Sequence, residues 1–186
     1  SDAIIARRPD ILGPHAALRG QYTIRICTLT ETPKAHGDMR IANVKLTLLE
    51  LPYVEQPAFQ AGYDRNREIL VVEIETDGGI TGLGYQLYLG PGFKTTQACL
   101  EEIMIPHILG RNASEVEAIW RELWRATLAD GRGGAQLLAL SAIDVALWDI
   151  IGQHACLPLH RLWGNYCTEI PAYGSGCWRG TGGDGM

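Results

Sequence analysis

One long stretch of the chain, residues 134–164, constrains the fold more than any other segment. Apolar residues recur in it at helical spacing on one face, and further apolar residues occupy much of the opposite face. Because a helix that is apolar on nearly all sides is buried on more than one side, we expect it to lie between two layers. Gly152 is the predicted end of this helix, and Pro158 lies beyond it. The two apolar sets are Leu137, Leu140, Ile143, Leu147 and Ile151, and Leu138, Ala142, Val145, Ala146 and Trp148.

Three earlier segments have the composition and alternation of β-strands: Ile41–Leu51, Glu68–Thr76 and Ile80–Leu87. Asp77 and Gly78 between the last two predict a tight hairpin, since glycine tolerates the positive φ of such turns. Gly82 and Gly84 lie inside the third strand, which predicts a bulge there or the close approach of another backbone.

Two helices are predicted between the strands and the long helix. The first covers Lys94–Ile105 and ends near Pro106. The second covers Ala113–Leu128, with Asn112 as its N-cap and Glu115 completing a capping box. A three-stranded antiparallel sheet followed by a helical layer is an α+β arrangement.

Composition excludes several classes of function. The chain has 186 residues and a net charge of −5, which argues against the basic surface that nucleic-acid binding needs. Five cysteines form no C-x-x-C pair, which favours reduced thiols and a cytoplasmic protein. The longest apolar run, Leu137–Ile151, is shorter than a membrane span and carries two aspartates, so no membrane partner is expected either.

The residues alone define no catalytic set. Asp144 and Asp149 are five positions apart, about 140° round a helix, so they do not share a face, and a structural role is predicted for them. Glu73 and Glu75 share a strand face and are expected to be a solvated edge. The five histidines lack metal-ligand spacing, and the glycines do not form G-x-G-x-x-G. No catalytic residue and no metal ligand is therefore assigned.

Two loops rich in aromatic residues carry more information. They span Tyr53–Tyr63 and Tyr85–Phe93 and leave one small sheet. Loops on a rigid scaffold are common binding surfaces, so these are candidates for a lid over a ligand. The alternative, that the rings fill the domain's own core, stays open at this point.

The long helix and its continuation resemble a known family. The segments Ser141–Gly152 (SAIDVALWDIIG), Leu157–Leu159 (LPL), Leu162–Gly164 (LWG) and Ile170–Tyr173 (IPAY) are similar to the mandelate racemase/muconate lactonizing branch of the enolase superfamily. The resemblance implies that the helix closes an enolase-type N-terminal capping domain. It also implies that a strand at Thr168–Tyr173 is the first strand of a (β/α) barrel. The implied domains are an N-terminal arm at 1–38, the capping domain at 39–164 and an incomplete barrel at 165–186.

The resemblance also implies roles for particular residues. Tyr85 matches a substrate-facing tyrosine, and Ser175, at the end of the first barrel strand beside Tyr173, matches a serine that contacts the substrate carboxylate. Tyr53 and Phe59 would shape the lid.

The implied reaction is removal of a proton α to a carboxylate, with Mg²⁺ stabilising the charge that develops. No residue here matches the base or the metal ligands, so this segment is expected to be inactive alone. The complete enzyme would be a racemase or dehydratase of a hydroxy acid or acid sugar. Its partners would be a small-molecule carboxylate, the rest of the barrel and further copies of itself in a homo-oligomer. The alternatives are a cycloisomerase or epimerase of the muconate lactonizing type, and a non-catalytic binding module.

Overall fold

The computed structural model describes residues 39–51, 67–88, 92–129, 131, 133–167 and 169–171. Three antiparallel strands form one sheet in the order β1-β2-β3. They are β1 (Ile41–Leu51), β2 (Arg67–Thr76) and β3 (Thr81–Tyr88). The predicted strands are confirmed, with bounds that differ by at most one residue. The sequence alternates with the two-residue period of a strand that has one buried face.

The predicted hairpin between β2 and β3 is also confirmed. The Thr76 N–H donates to the Ile80 carbonyl at 2.9 Å, and the Gly79 N–H donates to the Thr76 carbonyl at 3.0 Å. The residue with positive φ is Gly79, at 82°, and not Gly78 as predicted. The turn is therefore centred one residue later than expected, which explains why β3 begins at Thr81.

The first helical segment differs from its prediction. The helix α1 (Phe93–Cys99) passes into a π-helical turn (Leu100–Met104) and then into α2 (Ile105–Ile108). Pro106 does not end the helix, since it lies in the first turn of α2, directly after the π-helical turn. The π-helical turn directs Leu100 and Met104 into the core.

The helix α3 (Val116–Ala126) begins three residues later than predicted. The Asn112 side-chain oxygen accepts from the Ser114 N–H at 3.0 Å, so it stabilises a turn ahead of the helix. The Glu115 carboxylate binds the Arg111 guanidinium at 2.7 Å instead of reaching back to Asn112. The predicted capping box is therefore wrong, since both side chains have nearer partners.

The long helix α4 (Ala135–Ala155) does not end at Gly152 as predicted. It ends at Cys156, whose φ of 50° is left-handed. A Cβ atom at Gly152 would lie 3.3 Å from Leu159 Cδ2 and 3.4 Å from the Leu157 carbonyl oxygen. The glycine thus makes room for the following segment to pack against the helix.

That segment contains the short helix α5 (Leu159–Leu162) and a turn at Trp163. The rings of Trp148 and Trp163 meet edge to face with centroids 5.4 Å apart, which attaches α5 to α4. Of the strand predicted at Thr168–Tyr173, the structure describes residues 169–171. These three residues do not form a strand. Ile170 there is exposed, and no described strand pairs with it.

The helix α4 packs against β3 and β2 on one side and against α1 and α3 on another, which confirms that it lies between layers. With 21 residues and its hydropathy, α4 is long and apolar enough to cross a membrane. The core helices of soluble proteins meet the same two criteria, so this is weak evidence for a membrane span. Its buried residues belong to the single core formed with the sheet and the other helices: Ala139, Leu140, Ala142, Ile143, Ala146, Leu147 and Ile150.

The contact between α4 and β3 is unusually close. A Cβ atom at Gly82 would lie 2.1 Å from the Ala146 carbonyl oxygen, and one at Gly84 would lie 1.9 Å from the Ala142 carbonyl oxygen. Main chain therefore packs directly on main chain. Of the two alternatives left by the sequence, close backbone approach is the correct one for this strand.

Candidate functional site

The outer face of β3 is the most exposed apolar feature of the sheet. Leu83, Tyr85 and Leu87 are exposed, whereas Gly82 and Gly84, which alternate with Leu83 and Tyr85, are buried against α4. Side chains of a strand alternate between its two faces, so the three exposed residues share the face that points away from the helices. The Tyr85 side chain, 58% exposed, lies in the middle of this row.

The rest of that sheet face divides into two halves. Val71 pairs with Tyr85 and Ile69 pairs with Leu87, which extends the apolar surface across β2. We call the set Ile69, Val71, Leu83, Tyr85 and Leu87 the open apolar face.

The other half of this sheet face is polar. The Lys45 ammonium lies 3.1 Å from the Glu73 carboxylate, and the Asn43 amide donates to Glu75 at 3.1 Å. Glu73 and Glu75 thus have surface partners, but they lie on β2, the central strand, and not at a sheet edge as predicted.

The register places the strand ends that flank the two candidate loops at the apolar end of the sheet. Leu51 pairs with Arg67, and Glu68 pairs with Tyr88, the last residue of β3. Tyr85, which was predicted to begin the second loop, lies within β3. Contiguous exposed apolar surface of this kind marks a contact site. The Tyr85 hydroxyl can donate and accept a hydrogen bond, while its ring adds apolar contact area.

The structure describes only one of the predicted substrate-binding residues, Tyr85. Tyr53, Phe59, Tyr173 and Ser175 lie outside the described residues. Their roles stay predictions, and so do the three domain boundaries.

A buried polar group lies beneath the same end of the sheet, on the helix side. Glu68 is 7% exposed, Tyr88 8% and Thr96 of α1 is fully buried. Burial raises the pKa of the Tyr88 phenol, the Thr96 hydroxyl beside it opposes that shift, and the charge of Glu68 adds to it. Sequence analysis did not identify this group. The signal was the even spacing of Glu68 from Leu70, Val72 and Ile74. Residues two apart in a strand share a face, so this spacing places the carboxyl on the buried face.

Asp149 and Gln153 of α4 bind the main chain of β3. The Leu83 N–H donates to Asp149 Oδ2 at 2.9 Å, and Gln153 Nε2 donates to the Thr81 carbonyl at 2.7 Å. Gln153 Nε2 also donates to Asp149 Oδ2 at 3.0 Å, which joins the two contacts. The structural role predicted for Asp149 is confirmed, whereas Gln153 was not identified from the sequence.

Asp144 has different surroundings from Asp149. Burial raises the pKa of its carboxyl above the usual range, and the negative charge of Glu117 on α3 acts in the same direction. The two aspartates thus have different surroundings, in agreement with the prediction that they do not share a helix face.

A shallow groove along α3 is the other candidate site, lined by Arg111, Ala118, Arg121, Glu122 and Arg125. Arg111 is already paired with Glu115 and Glu122, so much of its charge is balanced. Among the residues that the structure describes, no group of three or more His, Cys, Asp or Glu side chains lies close enough to hold a metal ion. The described part of the chain therefore does not fit a magnesium site.

Comparison with known proteins agrees with this architecture. The family model described as the mandelate racemase/muconate lactonizing enzyme N-terminal domain matches residues 50–164, more than half of the chain. The chain belongs to this family, whose fold is the three-stranded sheet and helices described above.

Particular relatives are enzymes that act on sugar acids. The chain is 37% identical over 109 residues to 3,6-anhydro-alpha-L-galactonate cycloisomerase of Streptomyces coelicolor, covering 59% of this chain and 30% of that protein. It is 36% identical over 109 residues to arabinonate dehydratase of Saccharolobus solfataricus, covering 59% of this chain and 29% of that protein. The chain thus spans less than a third of the length of these relatives.

A solved structure is similar as well. L-talarate dehydratase from Polaromonas sp. JS666, crystallised with Mg and L-glucarate, superposes with a TM-score of 0.57 at 34% identity. The match covers 67% of this chain and 32% of that one.

Proposed function

We propose that the chain supplies the capping domain of a magnesium-dependent sugar-acid dehydratase, which removes the proton α to the substrate carboxylate. The observation that carries the proposal is the family match over residues 50–164. The arabinonate and L-talarate dehydratases among the similar proteins give the reaction and the substrate class.

In this proposal the open apolar face covers the bound substrate. Pockets for small molecules are mostly apolar and contain a few well-placed polar groups. Leu83 and Leu87 would exclude water, and the Tyr85 hydroxyl between them would bind a substrate hydroxyl. Tyr53 and Phe59 would complete the lid, while Ser175 and Tyr173 would contact the substrate from the barrel side.

Magnesium, when bound in such an enzyme, stabilises the negative charge that develops as the α proton leaves. The described residues offer no ligand set for it. We therefore place the metal ligands and the base in the remaining barrel and expect no turnover from this chain alone. The complete enzyme is proposed to be a cytoplasmic homo-oligomer, with residues 1–38 as an N-terminal arm and the barrel beginning at about residue 165.

A second candidate function is cycloisomerisation. It is favoured by the identity of 37% to the Streptomyces cycloisomerase. Both reactions can begin with loss of the α proton, so a capping domain of this kind would suit either.

The test is an assay of the complete enzyme that contains this domain. Sugar acids, including arabinonate, L-talarate and 3,6-anhydro-alpha-L-galactonate, are incubated with Mg²⁺ in D₂O. A dehydratase gives a product lighter by one water molecule, and a cycloisomerase gives a product of unchanged composition. Solvent deuterium at the α carbon, together with the α epimer of the substrate, indicates epimerisation. Absence of both turnover and deuterium uptake across the panel would contradict the proposal and favour a binding module. Chelation of Mg²⁺ should abolish turnover.

The same assay tests Tyr85. The Tyr85→Phe change should raise KM about tenfold, the value of one hydrogen bond of about 1.4 kcal/mol. Thermal stability should change little, because the side chain is 58% exposed. Tyr166→Phe is the matched control, since Tyr166 is fully exposed. Unchanged KM and unchanged substrate preference in both Tyr85→Phe and Tyr85→Ala would remove Tyr85 from the site.

A further inference from the structure

We infer that Asp149 and Gln153 are positioning residues that hold β3, and with it Tyr85, at a fixed place along α4. The pair acts on the edge of β3 that faces away from β2. Among the strands that the structure describes, β2 alone pairs with β3, in the order β1-β2-β3. On the other edge, the Leu83 N–H donates to Asp149 at 2.9 Å and the Thr81 carbonyl accepts from Gln153 at 2.7 Å.

The spacing of helix and strand makes this pairing possible. The Ala142 and Ala146 carbonyls contact Gly84 and Gly82 respectively, so α4 runs antiparallel to β3. Four helical residues span about 6.0 Å along the helix axis, and two strand residues span about 6.7 Å along the strand. Four residues of α4 therefore cover nearly the same length as two residues of β3. Asp149 and Gln153 are also four residues apart, and their targets are also two residues apart. The two rows of contacts therefore have the same spacing and run in the same direction.

The glycine contacts and the side-chain contacts restrict different movements. Glycine has no side chain to interlock with the helix, so its contacts set how near β3 lies to α4 but resist sliding along it only weakly. The hydrogen bonds of the Leu83 N–H and the Thr81 carbonyl resist sliding. If the strand shifted by one residue, neither the N–H nor the carbonyl would face its partner on α4. The bond to the Asp149 carboxylate is charge-assisted and so is stronger than a neutral hydrogen bond.

The consequence for function depends on the proposed capping role. Tyr85 is two residues from Leu83 and shares its face, so fixing Leu83 fixes the phenol. The helix α4 continues through α5 towards the predicted barrel. The Asp149–Gln153 pair would thus set the position of Tyr85 relative to the substrate on the barrel, without touching the substrate.

The first test needs no activity. Hydrogen exchange of the Leu83 amide is measured by NMR in the 186-residue chain. Asp149→Ala should speed this exchange about tenfold through loss of a charge-assisted bond, while the Val72 amide in the sheet centre keeps its rate. Asp149→Asn retains an acceptor oxygen and should restore most of the protection. Asp144→Asn is the control, since Asp144 is a half-buried aspartate on the same helix beside Glu117.

Three outcomes of this test would overturn the inference. One is an unchanged Leu83 exchange rate in Asp149→Ala. Another is an equal increase at Val72, which would mean general loss of stability. The third is an equal effect of Asp144→Asn on Leu83.

The second test measures selectivity in the complete enzyme. Asp149→Ala should raise KM and reduce discrimination between two sugar acids about tenfold, with kcat changing less than about threefold. In a Tyr85→Ala background the same change should have no further effect, because the pair acts through Tyr85. Additive losses in the double variant, or a fall in kcat alone, would contradict the positioning role. If exchange responds as expected but no form of the enzyme converts a sugar acid, the contact on β3 stands and the proposed function fails.

Discussion

The Gly84→Ala substitution tests the packing of β3 on α4 directly. The new Cβ would lie 1.9 Å from the Ala142 carbonyl oxygen and 2.9 Å from its carbonyl carbon. Ordinary contact begins near 3.4 Å, so helix and strand must separate by about 1.5 Å at this point. The obstructing atoms belong to the main chain of a buried helix, so no side-chain rotation can relieve the contact.

The expected loss of stability follows from two opposing terms. Inserting a methyl group into a packed core costs about 1–3 kcal/mol, and a main-chain obstacle favours the upper end of that range. Replacing glycine by alanine in a strand returns about 0.5–1 kcal/mol, because the unfolded chain loses freedom. The free energy of unfolding should therefore fall by about 2 kcal/mol, and Tm by about 4–8 °C.

Urea denaturation followed by circular dichroism measures this loss. Gly78→Ala is the control, since its Cβ would meet only Thr76 Oγ1 at 3.9 Å, and it should stay within about 0.5 kcal/mol of the parent. Adding Ala142→Gly to Gly84→Ala should not restore stability, because the obstacle is a carbonyl group. A Gly84→Ala protein as stable as the parent, or a rescue by Ala142→Gly, would refute the backbone contact.

Two further predictions concern the helices. Leu123→Ala should lower the free energy of unfolding by about 2–5 kcal/mol, because this side chain is fully buried, whereas Leu128→Ala at an exposed site should change it by less than about 0.5 kcal/mol; similar values for both in urea titrations would contradict the core assignment. Asp144→Asn should stabilise the chain near pH 7. The pKa of Asp144 is raised in the folded state, so its contribution is favourable below the ordinary aspartate pKa and is lost as pH rises through the folded value. The gain over the parent should shrink in acid, and a gain that does not depend on pH would show that the charge is not the cause.

The strands could be predicted from the sequence because their signal is local. Alternation over Ile41–Leu51 gave β1 its observed bounds, since a sheet with one buried face imposes a period of two. The helix ends were harder to predict. A glycine such as Gly152 costs a helix only about 1 kcal/mol, which the packing of α4 outweighs. The capping box at Asn112 depended on spacing alone, and spacing did not show that Glu115 would bind Arg111.

The candidate site was predictable only in part for a similar reason. The outward direction of Tyr85 follows from strand alternation, and the family resemblance gave its proposed role. The partner of Asp149 did not follow, because Leu83 is 66 positions away along the chain. Gln153 gave no signal at all, since a glutamine near the end of a helix is usually exposed and its bond to Thr81 joins residues 72 positions apart.

The close contact between β3 and α4 divides the strand into two sets of positions with opposite tolerance to mutation. Gly82 and Gly84 meet helix main chain, so any larger residue at either position should destabilise the fold, whatever side chains α4 carries. Leu83, Tyr85 and Leu87 alternate along the strand with the glycine side, and their side chains are exposed on the face away from the helices. We expect substitutions at these three positions to leave the fold intact. The positions of β3 that pack on α4 can thus stay constant while its exposed side chains vary. This arrangement suits a family whose members act on different acids.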